Sequence, residues 1–109
     1  MYIRLYSPSR FEWDIRKSEA TRAARGFDFS FARRVFDGPT LERVDDREDY
    51  GETRVVAIGD AGGVLLTIVY TDRVEHGETI RRIISARRSN AHERQTYQKA
   101  IEEAQSEPG

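Results

Sequence analysis

Apolar residues in this chain occur in short runs separated by turn residues, a pattern that predicts a series of β-strands. The most apolar run, Val64–Tyr70, carries hydrophobic side chains at odd and even positions, so both of its faces should be buried. We therefore expect it to be the central strand of a sheet. Asp60–Gly63 precedes it and predicts a tight hairpin turn. The predicted strands are Phe11–Trp13, Leu41–Val44, Thr53–Gly59, Val64–Tyr70 and Ile80–Ala86.

Two helices are predicted between the first and second of these strands. Asp14 is suited to cap a helix over Ile15–Arg25 that stops at Gly26, and its weakly apolar composition places it on the surface. Asp28 or Ser30 then caps a shorter helix. The apolar stripe of that helix consists of Phe31, Val35 and Phe36.

A third helix is predicted after the last strand. Ser89 or Asn90 caps it, and it extends to about Ala104. Its inner stripe consists of Tyr97, Ile101 and Ala104. The order β-α-α-β-β-β-β-α predicts an α+β fold, in which helices pack on one mainly antiparallel sheet.

Length and composition favour one domain over residues 1–109. Residues 1–10 look like a loose lead-in and residues 103–109 like a loose tail. The chain has no cysteine, which excludes disulfides, thiolate catalysis and zinc–thiolate sites. It also has no apolar run of membrane-spanning length and no signal peptide, so we expect a cytoplasmic protein.

The net charge of −1 conceals two oppositely charged segments. Residues 41–52 carry a local net charge of −4, and residues 81–99 carry one of +5. Sixteen of the 18 basic residues are arginine, whose planar guanidinium binds two phosphate oxygens at once. The basic segment, residues 81–99, is therefore the candidate anion site. A GC-rich coding genome would produce the same arginine bias and is the alternative explanation for it.

The junction between the last strand and the last helix concentrates chemically active side chains. Arg87 and Arg88 end the strand, and His92 and Glu93 lie in the first helical turn. Strand alternation puts Arg87 on the same face as Ile83, at the edge of the core. Arg87 either binds phosphate or pairs with Glu93 or an acid of the segment 41–52. Glu93 either transfers protons or complements the helix dipole, and His92 is an acid–base candidate unless it is merely solvated.

Seven short motifs, in order, resemble the BrnT toxins of type II toxin–antitoxin systems. They are Phe11–Asp14, Val35–Asp37, Asp46–Arg54, Ile58–Gly59, Val69–Arg73, Arg82–Arg88 and Glu93–Tyr97. The resemblance implies a RelE-like fold and a ribonuclease that needs no metal or other cofactor. It further implies a BrnA-like ribbon-helix-helix antitoxin as partner, which forms a hetero-oligomer with the toxin and alone contacts operator DNA. RNA is then the substrate, and no membrane is involved.

Metal-free RNA cleavage by the 2′-OH requires a base, an acid and cations facing the phosphorane. We expect the catalytic residues to be Arg87, Glu93, Arg73 and His92, and the RNA-binding residues to be Lys17, Arg25, Arg88 and Tyr97. Arg73 should lie roughly 20 Å from Arg87 along a strand, so it could instead bind a flanking nucleotide. Tyr97 could simply pack, and Lys17 could simply be solvated.

One segment departs from the family pattern. The family reads Asn-x-x-Lys-His-Gly at the end of the first helix, whereas this chain reads Thr21–Gly26, with Ala24 and Arg25 in place of lysine and histidine. Arginine does not exchange its proton near neutral pH. The alternative function is therefore a catalytically impaired homologue that acts as an antitoxin-binding co-repressor or RNA-binding module. A plain structural domain is the remaining possibility.

Overall fold

A computed structural model of the chain describes residues 1–106, which form one six-stranded sheet and three α-helices. The strands are β1 (Tyr2–Arg4), β2 (Arg10–Trp13), β3 (Thr40–Asp45), β4 (Arg54–Ala61), β5 (Val64–Glu75) and β6 (Glu78–Arg88). The helices are α1 (Ile15–Arg25), α2 (Phe29–Ala32) and α3 (Ala91–Ser106), with a 3₁₀ helix over Arg33–Asp37. The predicted α+β fold and its order of elements are confirmed.

The sheet has the strand order β1-β3-β4-β5-β6-β2, so the apolar β5 is central as predicted. Neighbouring strands are antiparallel except β2 and β6, which run parallel. Helix α2 and the 3₁₀ helix cover one face, here called the α2 face, over a core that includes Phe29, Phe36 and Ile68. Helix α3 covers part of the opposite face, the α3 face, through Tyr97 and Ile58.

The helix boundaries follow from their caps. Asp14 Oδ1 accepts a hydrogen bond from the Arg16 N–H at 2.8 Å, and α1 ends at Gly26, whose φ of 83° suits glycine. Of the two candidate caps for the second helix, Asp28 is the one that accepts, from the Phe31 N–H at 2.9 Å. Phe29, which the predicted stripe omitted, is buried more deeply than Phe31.

The hairpin of β5 and β6 is longer than predicted. The polar segment from Arg73 to Thr79 was expected to be a turn, but it is mostly strand, closed by a two-residue turn. His76 and Gly77 form that turn, with φ values of 51° and 79°. Apolar periodicity does not reveal a ribbon that extends beyond the core, because its side chains are polar on both faces.

A β-bulge changes which residues of β6 share a face. Val69 pairs with Ser85, whereas Tyr70 pairs with Ile83, so Ile84 is an extra residue. The prediction that Ile83 and Arg87 lie on one face is therefore wrong. Ile83 belongs to the core of the α2 face, whereas Arg87, which pairs with Thr67, lies on the α3 face.

The N-terminal segment is more ordered than a loose lead-in. Strand β1 pairs antiparallel with β3, and Thr40 Oγ1 donates to the Arg4 carbonyl at 3.2 Å. Pro8 is buried. The pairing was missed because three residues are too few to show alternation.

The last helix extends farther than predicted and shifts its inner stripe. Helix α3 reaches Ser106, and the end of the expected tail, residues 107–109, lies outside the described residues. Tyr97 and Ile101 pack inward as predicted, but Ala100 completes the stripe and Ala104 is exposed.

Candidate active site

The junction between β6 and α3 is tied to the sheet by Ser89. Its backbone N–H donates to the Leu65 carbonyl at 3.0 Å, and its buried hydroxyl lies 2.8 Å from Thr67 Oγ1. The Arg94 guanidinium donates to the Ser89 carbonyl at 2.7 Å. The chain therefore turns from strand to helix at a fixed point, which fixes the direction of the side chains on both sides.

Asn90, rather than Ser89, caps α3. Asn90 Oδ1 accepts from the Glu93 N–H at 2.8 Å, and Glu93 Oε1 accepts from the Asn90 N–H at 2.9 Å. These reciprocal bonds form a capping box, which satisfies two backbone donors at the helix start. The Glu93 carboxylate is thus held in place by its own helix, independently of its contact with Arg87.

Arg87 and Glu93 form a two-bond ion pair. Arg87 Nη1 donates to Glu93 Oε1 at 2.7 Å, and Nη2 donates to Oε2 at 2.8 Å. Nη1 also lies 3.3 Å from the Arg88 carbonyl oxygen. No atom of residues 1–106 accepts a hydrogen bond from Nε. The side of the guanidinium formed by Nε and Nη2 therefore keeps a pair of N–H donors that can bind two oxygens of an anion.

Burial and charge suit this pair to binding rather than to proton transfer. The Arg87 side chain is 46 % exposed, whereas the Glu93 side chain is 17 % exposed. Its hydrogen bonds with Arg87 are the main cause that lowers the pKa of Glu93 to about 2. Glu93 is therefore ionised at neutral pH and has both oxygens occupied, which favours the charge-partner interpretation over a proton-transfer role.

A cleft of about 230 Å³ opens beside this pair on the α3 face. His92, which is exposed in the first turn of α3, lines the cleft together with Glu93. The other lining residues are Met1, Arg43, Val56, Ile58, Asn90 and Thr96. Glu93 is the common member of the predicted catalytic set here: it is paired with Arg87 and shares the cleft with His92, whereas Arg87 itself does not line the cleft.

Arg73 lies apart from this group. It pairs with Ile80 near the far end of the β5–β6 ribbon, whereas Arg87 pairs with Thr67, so the two positions lie six steps apart along β5, roughly 20 Å. Its guanidinium donates to Glu12 through Nη1 and Nη2, each at 2.7 Å, and to Glu75 through Nε at 3.0 Å, so it has no free Nε–Nη2 pair of donors like that of Arg87. Arg73 and Arg87 are therefore too far apart to bind one phosphate group together.

The predicted RNA-binding residues are spread over the molecule. Arg25 Nη1 donates to the Ala86 carbonyl at 2.7 Å, which places Arg25 at the edge of β6. Arg88, next to Arg87, points to the α2 face, where its guanidinium lies 5.9 Å from the centre of the Phe27 ring. Lys17 is exposed in the first turn of α1, without an ion-pair partner among the described residues.

Tyr97 packs and does not offer its ring to a base. It is buried against Leu41 and Ile58, and its hydroxyl donates to the Pro39 carbonyl at 2.9 Å. The helical spacing from Glu93 to Tyr97 placed both on one side of α3, but that side faces the sheet. Of the two interpretations of Tyr97, packing in the core is correct and stacking on a base is wrong.

Several residues of the site were not predicted. Arg43 reaches the cleft from β3, and Thr67 supports Ser89 from β5. Neither carries a local signal, because its position depends on strand pairing. Asn90 could have been found, since Asn90 and Glu93 have the spacing of a capping box.

Two kinds of feature are absent from residues 1–106. No group of three or more His, Asp or Glu side chains lies close enough together to hold a metal ion. No helix within the same range has the length and apolar character needed to cross a bilayer.

The fold and the junction define a small α+β protein with an exposed, positioned guanidinium where a strand meets a helix. The model of the family described as the ribonuclease toxin BrnT of type II toxin–antitoxin systems matches residues 13–93, and the chain belongs to that family. No curated protein matches the chain. The protein is therefore a toxin of a ribonuclease family, which implies an RNA substrate and an antitoxin partner. The matched range ends at Glu93 and includes the segment with Ala24 and Arg25.

Proposed function

We propose that this toxin is a metal-independent endoribonuclease in which Arg87 binds the phosphate that is cleaved. The observation that carries the proposal is the free pair of N–H donors on Nε and Nη2 of Arg87. The Glu93 carboxylate holds the same guanidinium in place by two hydrogen bonds. The 2′-OH gives up its proton and attacks the adjacent phosphorus, the P–O5′ bond breaks, the leaving O5′ oxygen takes up a proton, and a 2′,3′-cyclic phosphate forms. The extra negative charge of the phosphorane faces Arg87.

The roles of the other residues follow from their contacts. Glu93 positions Arg87, since its own oxygens are occupied and it stays ionised. We assign proton transfer to His92, because imidazole is the side chain best suited to it near neutral pH and His92 lines the cleft beside Glu93. Lys17, which is exposed, would contact flanking nucleotides by charge alone.

The donors at this site favour a reaction without a divalent cation. Its single carboxylate is already neutralised by Arg87, and the neighbouring Arg43 and Arg94 would repel a cation. Oxygen-rich, anionic surroundings are what magnesium sites require. Electrostatic stabilisation by arginine replaces the metal in this proposal.

A cleavage assay tests the proposal. Purified toxin is incubated with a mixed-sequence RNA in excess EDTA, and products are checked for 2′,3′-cyclic phosphate ends. We expect cleavage by the wild type and none detectable by Arg87→Ala. Cleavage that requires added Mg²⁺, or that survives in Arg87→Ala, would contradict the proposal.

One observation favours a second function, that of a non-cleaving co-repressor or RNA-binding module. Arg25 stands where the family has histidine, and its guanidinium donates a hydrogen bond to the Ala86 carbonyl. If that histidine supplies a proton in relatives, this chain lacks it. RNA binding without cleavage by the wild type, with cleavage gained in Arg25→His, would establish this second function.

We further propose that a BrnA-like ribbon-helix-helix antitoxin neutralises the toxin in the cytoplasm and carries the operator-binding surface. Such an antitoxin would cover the cationic junction and some of the exposed apolar side chains, of which Leu5 and Val74 are the most exposed. Co-expression of the adjacent open reading frame should abolish growth arrest. Arrest that persists when that protein is bound would exclude this partner.

A further inference from the structure

A second cationic cleft lies on the α2 face, on the opposite side of the sheet from the Arg87–Glu93 pair. It has a volume of about 420 Å³, and we call it the Arg22–Arg88 cleft after the two arginines that line it. The other lining residues are Gly26, Phe27, Asp28, Phe31 and Val64. Its walls therefore combine guanidinium groups with aromatic rings.

The two arginines of this cleft are not neutralised within the described chain. Arg22 and Arg88 are both exposed, and neither forms an ion pair within residues 1–106. The carboxylate that lines the cleft, Asp28, already accepts the Phe31 N–H as the cap of α2. The cleft thus has an excess of positive charge, which is complementary to phosphate.

Two neighbouring aromatic rings of this cleft lie between two guanidinium groups, of which Arg88 lines the cleft and Arg34 lies beside it. The Arg88 guanidinium lies 5.9 Å from the centre of the Phe27 ring, Phe27 and Phe31 are 6.1 Å apart, and Arg34 lies 5.3 Å from Phe31. Phe27 is buried, whereas Phe31 is half-buried and lines the cleft. Single-stranded nucleic acids bind surfaces of this kind by stacking bases on rings and placing phosphates on cations.

The edge of β6 connects this cleft to the proposed active site. Strand β2 pairs with β6 only from Ile80 to Ile83, so within the described residues no strand covers the outer edge of β6 from Ile84 onward. Arg87 and Arg88 are consecutive and point to opposite faces there. Arg25 lies on the edge between them, bonded to the Ala86 carbonyl. An RNA chain that runs from Arg87 around this edge would pass Arg25 and then reach Arg88.

We infer that the Arg22–Arg88 cleft is a second RNA subsite, which binds single-stranded nucleotides that flank the cleaved phosphate. This inference rests on the proposed function, because it takes RNA at Arg87 as its starting point. Arg22 and Arg88 bind phosphates, and Phe31 stacks on a base. The toxin would then hold RNA wrapped around the edge of β6.

The test compares short and extended substrates. The variant Arg22→Gln/Arg88→Gln is assayed on a dinucleotide, which reaches only the Arg87 site, and on oligonucleotides extended at the 5′ or the 3′ end. The matched control, Arg16→Gln/Lys99→Gln, removes the same charge from exposed residues outside both clefts. We expect kcat/KM for one extended substrate to fall about tenfold or more in the variant, with the dinucleotide and the control unchanged.

Two additional readouts separate charge from stacking. The salt dependence of binding should weaken in the arginine variant, by about 0.7 in the log–log slope for each phosphate that it no longer binds. Phe31→Leu should weaken binding of the extended substrate without changing that slope.

Equal cleavage of all substrates by the variant and the control would overturn the inference. Loss of antitoxin binding with unchanged RNA binding would assign the cleft to the protein partner instead.

Failure of the proposed function gives a different result. If the wild type cleaves no RNA, an extended 2′-O-methyl oligonucleotide is titrated into the same proteins. Weaker binding by Arg22→Gln/Arg88→Gln than by its control would then support the subsite in a protein that does not cleave. Equal binding would overturn the subsite as well.

Discussion

The two ends of the β5–β6 ribbon each carry an arginine held by a carboxylate, yet only one end can bind a further anion. At one end, Glu93 occupies Nη1 and Nη2 of Arg87 and leaves Nε free among the described residues. At the other end, Glu12 occupies Nη1 and Nη2 of Arg73, and Glu75 occupies Nε. An ion pair is therefore not a sign of function in itself. What distinguishes the Arg87 end is a positioned guanidinium whose Nε–H has no hydrogen-bond acceptor among the described residues.

The electrostatics of the two ends reinforce this difference. Hydrogen bonds to arginine lower the pKa of Glu12 and that of Glu93 alike, each to about 2. Glu12, however, also binds Arg82. Glu12 and Glu75 together therefore neutralise two arginines, Arg73 and Arg82. The Arg73 end is a closed network that links β2 to the ribbon, whereas at the Arg87 end the neighbouring Arg88 and Arg94 form no ion pair within residues 1–106.

The largest expected effect is the loss of cleavage in Arg87→Ala. Removing a well-placed cation from a developing oxyanion should lower kcat by about 10²- to 10³-fold. The measurement is single-turnover cleavage of RNA in EDTA. Arg73→Ala is the matched control, and we expect less than about a fivefold change, since all three of its guanidinium nitrogens already donate to carboxylates. Equal losses in both variants would remove the distinction between the two ends.

The next largest effect is expected for His92→Gln. Glutamine keeps the size and polarity of the side chain but cannot transfer a proton, so kcat should fall about 10²-fold or more. The measurement is single-turnover cleavage of the same RNA by the wild type and by His92→Gln. Unchanged kcat in His92→Gln would show that the proton is carried by another group.

A smaller effect is expected for Glu93→Gln. Glutamine retains the capping bond to the Asn90 N–H, so the helix should start at the same residue. Arg87 loses its charged partner and gains freedom, and we expect kcat to fall about tenfold with little change in the shape of the pH profile between 5 and 8. Loss of that pH dependence in Glu93→Gln would instead assign proton transfer to Glu93.

The smallest effect concerns stability in acid, where the two ends should behave alike. A carboxylate whose pKa is lowered in the folded state stabilises that state above its unfolded pKa, and this contribution is lost as pH falls toward the folded value. For Glu12 and Glu93 the window runs from the ordinary value of 4.5 down to about 2. Each contribution should be at most about 1 kcal/mol, because the arginine partners are nearly half exposed.

Urea unfolding at pH 6 and pH 3 measures this effect. Glu12→Gln and Glu93→Gln should each lose less stability on acidification than the wild type, and by similar amounts. A stability that is independent of pH over this range in the wild type would contradict the folded-state pKa values.

The sequence was sufficient for the architecture because apolar runs and capping residues reflect local physics. The run Val64–Tyr70 marked the central strand, and Asp14 marked the start of α1. The proximity of Arg87 and Glu93 was also predictable, since one ends a strand and the other lies in the next helical turn. Features that depend on pairing between strands were not predictable from local sequence.

Two residues show where local reasoning fails. Ile84 is the extra residue of the bulge, which moves Ile83 to the other face of the sheet, and no alternation pattern signals it. Arg81 is fully buried, paired with Asp72 at 2.8 Å and stacked 3.9 Å from the centre of the Tyr70 ring. Its burial depends on β5 lying beside β6, so the sequence alone would place it at the surface.

The spare donors of Arg87 can be observed directly by NMR. The protein is labelled with ¹⁵N, and the Nε–H signals of its arginines are followed during titration with a 2′-O-methyl oligonucleotide, which binds but cannot be cleaved. We expect the Arg87 Nε–H signal to shift as it bonds to phosphate, while the Arg73 Nε–H signal stays in place. An unmoved Arg87 signal at saturating oligonucleotide would contradict a phosphate site at the strand–helix junction.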